Sequence, residues 1–206
     1  MRLVSSVSLL GTSLVVAAFA AACSSASSTG SNASPTDPAD AGVAPPASMK
    51  PLKTSVDANI VKTLKNAGLD IAKLPDSLDT IAKDEDQLHA VMETFTTALG
   101  VECTGCHKGS GRNIDYEAAT PKKNVAKKMW ANLVRGLKAA DGAPIYCDTC
   151  HGGKMTFLDR TDPDALGEWM KQNFVEKLVR RDGAEHSCAT CHGDPFNGSI
   201  LESWQK

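Results

Sequence analysis

Six of the seven cysteines stand in three copies of one pentapeptide: Cys103-Thr-Gly-Cys106-His107, Cys147-Asp-Thr-Cys150-His151 and Cys188-Ala-Thr-Cys191-His192. In each copy the second thiol follows at i+3 and the imidazole at i+4, positions that share one face of a helical turn. Two thiols so placed can bond the two vinyl groups of a porphyrin while the imidazole rises beneath its iron, which makes this spacing the attachment pattern of c-type haem. The pattern predicts three covalently attached haem c groups on Cys103, Cys106, Cys147, Cys150, Cys188 and Cys191, with His107, His151 and His192 as fifth ligands. Structural zinc and a redox-active dithiol of the thioredoxin kind are the competing chemistries. Zinc usually joins one Cys-x-x-Cys to a distant second pair, a plan that three pentapeptides of one pattern do not follow.

The sixth ligands are a counting problem. Six histidines would be needed for histidine on both sides of every iron, and the chain has five: His89, His107, His151, His186 and His192. Methionine sulfur is the usual alternative. Met129 and Met170 each stand eighteen residues before the first cysteine of a motif, and Met92 stands eleven before Cys103. A single methionine on an apolar helical stripe is ordinarily core. Recurrence in register with every motif favours ligation by Met92, Met129 and Met170. His89, one turn before Met92, is the rival at the first haem. His186 reads as an exposed turn residue, and Met49 and Met155 as non-ligands.

The elements that must position these residues are helical. Leu88, Val91, Met92, Phe95 and Leu99 keep helical intervals up to a stop at Gly100. Thr120-Pro121 and Asp162-Pro163 are cap and first-turn pairs. The stripe Val125, Met129, Leu133, Leu137 then runs to Asp141-Gly142, and Leu166, Met170, Phe174, Leu178 runs to Asp182-Gly183. A shift of 41 residues superposes Met129 on Met170, Asn132 on Asn173, Asp141-Gly142-Ala143 on Asp182-Gly183-Ala184 and Cys147 on Cys188. The repeat is helix, turn, attachment motif, with a shortened copy before Cys103. An amphipathic segment from Val56 to Asn66 adds a packing helix, and no alternating run long enough for a strand appears. The expected fold is mainly α, with repeated helix-turn-motif units packed around three haems behind a long flexible N-terminal tether.

Residues 1–22 open with Met1-Arg2 and continue as a short apolar run ending in small residues, the form of a secretory signal peptide. Cys23 follows Ala20-Ala21-Ala22 and resembles the lipidated cysteine of a bacterial lipoprotein. From Ser24 to Ser48, 21 of 25 residues are Ser, Ala, Pro, Gly or Thr, a composition that buries no core and behaves as a tether. The expected organisation is signal peptide 1–22, lipid-anchored linker 23–49 and trihaem domain 50–206. The expected location is the bacterial cell envelope, membrane-bound through lipid on Cys23 and facing the periplasm or cell surface.

The stretch from Met92 through Phe95, Leu99 and Gly100 to Cys103-Thr-Gly-Cys106-His107 resembles the haem-binding units of the tetrahaem cytochrome subunit of photosynthetic reaction centres. The stretch from Lys122 through Met129 to Cys147-Asp-Thr-Cys150-His151-Gly152 is similar to the next unit of that family. The likeness covers about residues 85–195. It implies a helix running alongside each porphyrin and supplying methionine to the iron, so Met92, Met129 and Met170 are sixth ligands and His107, His151 and His192 fifth ligands. The chain departs from that family in lacking a fourth motif, and in Asp148 and Gly152 where the second unit commonly shows an aromatic and a basic residue.

With 206 residues, 42% apolar but only 5% aromatic, and a formal charge of −2, the chain has no basic excess for nucleic-acid binding. About 156 residues fold to a radius of gyration of about 15 Å, so three haems inside must form one relay. The haems also supply apolar bulk that the aromatic-poor core lacks. With every iron closed by histidine and methionine, the expected function is electron carriage between redox protein partners or to a membrane electron-transfer complex, with no enzymatic activity. The competing reading is a peroxidase or reductase with an open or displaceable ligand at the first haem. Lys122, Lys123, Lys127, Lys128 and Lys138 cluster along the second unit as a solvated face, less often a docking patch for an acidic partner.

Overall fold

Five helix starts among the described residues are set by side chains that accept from otherwise unpaired N–H groups. The computed structural model describes residues 49–205, so Cys23 and the segments assigned to signal and linker before Met49 lie outside the described residues. Asp57 caps α1 (Ala58–Asn66) by accepting from the Asn59 N–H, Ser77 caps α2 (Leu78–Ile81), and Asp84 caps α3 (Glu85–Leu99) through the Gln87 N–H. Gly100 ends α3 at φ 64°, in the left-handed region that glycine tolerates. Its N–H returns to the Thr96 carbonyl.

Between the first motif and α4 lie two three-residue strands, β1 (Lys108–Ser110) and β2 (Asn113–Asp115), paired antiparallel with Gly109 opposite Ile114. Gly109 has φ 118°, and a Cβ there would stand 2.1 Å from the Asn113 carbonyl oxygen. The Thr120-Pro121 pair opens α4 (Pro121–Met129), which passes into a π-helical turn over Trp130–Val134 and then strand β3 (Leu137–Ala139). The middle motif forms α5 (Cys147–His151). The Asp162-Pro163 pair opens α6 (Pro163–Met170), followed by a π-helical turn over Lys171–Val175 and strand β4 (Leu178–Arg180). The third motif forms α7 (Cys188–His192), and α8 (Ile200–Trp204) lies against α4.

The molecule is mainly helical, as expected, with two corrections. Among the described residues there are four short strands, and each long stripe leaves the α-helix at its methionine instead of continuing to the Asp-Gly turn. The stripes repeat every four residues, and four residues advance about 400° on an α-helix, so the face drifts about 40° per step. The wider π turn absorbs that drift. Arg135 N–H bonds to the Trp130 carbonyl and Glu176 N–H to that of Lys171, the same five-residue step in both units. Leu137 and Leu178 then sit in strands, where Lys138 faces Val179, its own counterpart under the 41-residue shift. Units two and three therefore meet about a local two-fold.

Two apolar cores result. The first gathers Ile60 and Leu64 of α1, Ile81, Val91, Trp130 and Tyr146. The second gathers Leu52, Leu137, Ile145, Trp169 and Leu178. Met49 belongs to this second core at 5% exposure, so the folded unit takes in the last residue assigned to the linker.

Candidate functional site

The attachment motifs differ in local structure, and the residue before the second cysteine accounts for it. In the second and third motifs a threonine precedes the second cysteine, and its hydroxyl accepts the N–H of the residue before the motif: Tyr146 N to Thr149 Oγ1 and Ser187 N to Thr190 Oγ1, both 3.0 Å. That return bond closes an α-turn. The first motif has Gly105 at this place and folds as a 3₁₀ turn over Cys103–Gly105.

Each motif histidine is then fixed by a neighbour that the spacing does not reveal. His151 Nδ1 donates to the Lys154 carbonyl at 2.9 Å, and its ring stands edge-on to Phe157 at 5.0 Å. His192 Nδ1 donates to the Gly198 carbonyl at 2.8 Å, and its ring stacks on Phe196 at 4.7 Å. In both, the carbonyl holds the Nδ1 proton and leaves Nε2 free as the ligating nitrogen. The His107 ring meets Tyr116 at 5.0 Å. Burial holds His107 and His151 below the ordinary histidine range, the Lys123 charge adding to the effect at His107. Burial thus favours the neutral form that a ligand must have. Aromatic residues follow the three motifs at nine, six and four positions, an irregular spacing that hides them from a search for repeats.

An apolar cavity lies between the second unit's helix and its motif. Phe95, Met129, Trp130, Cys147, Cys150 and His151 are among its lining, and it encloses about 530 Å³, part of it open to solvent. It brings together Met129, both thiols and the imidazole expected to serve one haem. Desolvation raises the Cys147 thiol far above its ordinary value and pushes Cys150 up to about 12. Cys147 rests on the first core and Cys150 on the second, so a porphyrin bonded to both would sit where the cores meet.

The other candidates are placed as follows. Met92, half-buried on α3, packs beside Phe95 on the first core, while His89 one turn earlier is exposed. Met170 packs with Phe174 on the second core. Burial raises the Cys106 and Cys191 thiols, more weakly than those of the middle motif. His186, expected to be exposed, is half-buried with Nε2 on the Phe174 carbonyl at 3.1 Å. Within the lysine cluster, Lys127 pairs with Asp79 at 2.7 Å, and Lys123 Nζ donates to the carbonyls of Tyr116 and Ala118.

Helical units that end in Cys-x-x-Cys-His turns define the class of multihaem c-type cytochromes, electron-transfer proteins with covalently bound haem c. The family described as cytochrome c7 and related cytochrome c matches residues 89–193, and the chain belongs to it. No curated protein and no solved structure matches the chain.

Proposed function

We propose that this chain is a trihaem electron carrier, anchored outside the cytoplasm by lipid on Cys23 and exchanging electrons with redox protein partners. The haems supply one-electron chemistry at potentials set by their axial ligands. His107 with Met92, His151 with Met129, and His192 with Met170 would be the ligands of the three irons, following the unit architecture of the reaction-centre tetrahaem subunit. The apolar lining around Met129 would lower the local polarity and so raise the potential, and methionine would do so further relative to a second histidine. The Ser24–Ser48 stretch gives the haem domain reach from the membrane.

The observation that carries the ligand assignment is the cavity shared by Met129, Cys147, Cys150 and His151. Its test is spectroscopic. Oxidised protein is expected to show the weak far-red absorption of a sulfur-to-ferric-iron bond at three-site strength. Met129→Ala or Met170→Ala removes about a third of it and opens one reduced iron to carbon monoxide. Met92→Ala removes a further third, and entry of His89 would give a low-potential haem instead of an open one. Wild-type protein that already binds carbon monoxide and turns over peroxide contradicts the carrier reading and leaves the enzyme reading at the first haem.

A further inference from the structure

The histidine of the first motif is held differently from the other two. His151 and His192 each donate Nδ1–H to a backbone carbonyl that follows the motif, that of Lys154 at 2.9 Å and that of Gly198 at 2.8 Å. His107 Nδ1 is buried and has no hydrogen-bond partner. The carbonyl beside it is that of Tyr116, the residue whose ring lies edge-on to the imidazole at 5.0 Å. This carbonyl is near enough to favour a proton on His107, yet no hydrogen bond joins the two. It accepts from Lys123 instead, whose Nζ is 2.8 Å away.

Lys123 is built into this loop from both ends. Its Nζ also donates to the Ala118 carbonyl at 2.9 Å, and its N–H donates to Thr120 Oγ1 at 3.3 Å. The same hydroxyl donates to the Cys106 carbonyl at 2.7 Å, so the start of α4 is tied to the first motif. Asp115 Oδ1 accepts from the Glu117 and Ala118 N–H groups at 3.0 and 2.9 Å, which fixes the turn that presents both carbonyls to the ammonium. A charge-assisted bond is about twice as strong as a neutral one, so the ammonium and not the imidazole orients the Tyr116 carbonyl. After burial, the Lys123 charge is the largest influence lowering the His107 imidazole, and the Tyr116 carbonyl and the Glu117 charge oppose it less strongly. At His151 the neighbours that matter after burial are two carbonyls, those of Lys154 and Met155.

A carbonyl on Nδ1–H makes a ligating imidazole more basic, and a more basic ligand favours the ferric over the ferrous iron. His107 lacks that acceptor and is the weaker donor. A fixed cation near the ligating ring favours the ferrous state as well, because reduction removes one positive charge. We propose that Lys123 sets the potential of the haem carried by Cys103 and Cys106, holding it above what its axial ligands alone dictate by withholding the Tyr116 carbonyl from His107 and by its own charge. The proposal rests on the trihaem reading. It adds to that reading a residue that touches no iron and yet distinguishes the first haem from the other two.

The experiment is a spectroelectrochemical titration of full-length haem-loaded protein, with denatured mass and NMR of the histidine ring protons in reduced, isotope-labelled protein measured on the same samples. Wild type is expected to show the His151 and His192 Nδ1 protons in the range of carbonyl-bonded imidazole and that of His107 apart from them. Lys123→Met is expected to keep three haems by mass and to bring the His107 proton into the range of the other two. It also lowers one component's reduction equilibrium constant about tenfold, or about 59 mV for one electron. The displaced component is the one missing from a Cys103→Ala/Cys106→Ala variant or, if that variant does not fold, the one whose sulfur band disappears in Met92→Ala. Lys122→Met removes an equal, solvent-screened charge and leaves the Tyr116 carbonyl on Lys123, so it is expected to lower the same constant less than about threefold. If Lys123→Met loses a haem, Lys123→Ala takes its place in the comparison. Three retained haems with an unmoved potential overturn the proposal. So does an equal fall in Lys122→Met, or a wild-type His107 proton that already matches the other two. Fewer than three haems in the wild type instead overturns the trihaem reading beneath it.

Discussion

Asp148 lies inside the middle attachment motif and is only 4% exposed. Its Oδ2 accepts the Asp57 N–H at 2.8 Å, tying α1 to α5, while Oδ1 is buried without a partner. Desolvation raises this carboxyl, and the Asp57 hydrogen bond and the Lys53 charge only partly oppose it. The folded protein therefore holds the proton more tightly than the unfolded chain, so the group's penalty is absent below the ordinary value of 3.8 and grows as pH rises through the raised one. Asp148→Asn keeps an acceptor for Asp57 without the charge. At pH 7 it is expected to raise Tm by about 2–4 °C, an advantage that vanishes below about pH 3.8 in a pH series of thermal unfolding. A variant less stable than wild type at pH 7 contradicts this account. The sequence marks Asp148 as unusual for its motif. That the side chain anchors α1 depends on a contact across 91 positions, which spacing does not encode.

At the scale of elements, the device that repeats is the π turn immediately after the methionine. In each copy an asparagine three residues after the methionine donates Nδ2 to the carbonyl four residues before itself: Asn132 to Lys128 at 2.8 Å, Asn173 to Trp169 at 2.9 Å. The side chain thus supports the backbone where its hydrogen bonds lengthen by one residue. Asn173 has further duties, accepting from the buried Leu52 N–H at 3.0 Å and from Lys177 Nζ at 2.9 Å. Asn173→Ala is expected to cost about 2–3 kcal/mol in chemical denaturation and to weaken the Met170 sulfur band, because it leaves a buried N–H unpaired. Asn132→Ala, at an exposed copy, should cost less than about 1 kcal/mol. Equal costs would show that the asparagine serves the turn alone. Helix starts were legible in the sequence because Thr120-Pro121 and Asp162-Pro163 state their caps outright. The strands were not, since three residues cannot display an alternation. The exact four-residue period of both stripes was visible, and it is the one sign from which the π turn could have been read.

At the scale of the molecule, chemistry and architecture depend on the same motifs. The middle motif puts one cysteine on each core, so its haem would join the two halves of the fold as well as pass electrons between its neighbours. Repetition made this organisation legible: in the second and third units the methionine, the Asp-Gly turn and the pentapeptide fall in register, with a shortened copy before Cys103. The imidazole partners Lys154 and Gly198 were hidden because each acts through a backbone carbonyl, which no residue type announces. The proposed lipid anchor on Cys23 would need more than one acyl chain for stable attachment. The most direct test of the whole account is the mass of the mature protein after denaturation, with its N-terminal peptide resolved separately. The account predicts polypeptide beginning at Cys23 with acyl chains attached, plus three covalent haem masses borne by the three Cys-x-x-Cys-His peptides. Fewer than three covalent haems, or bound zinc with free thiols in their place, would contradict it.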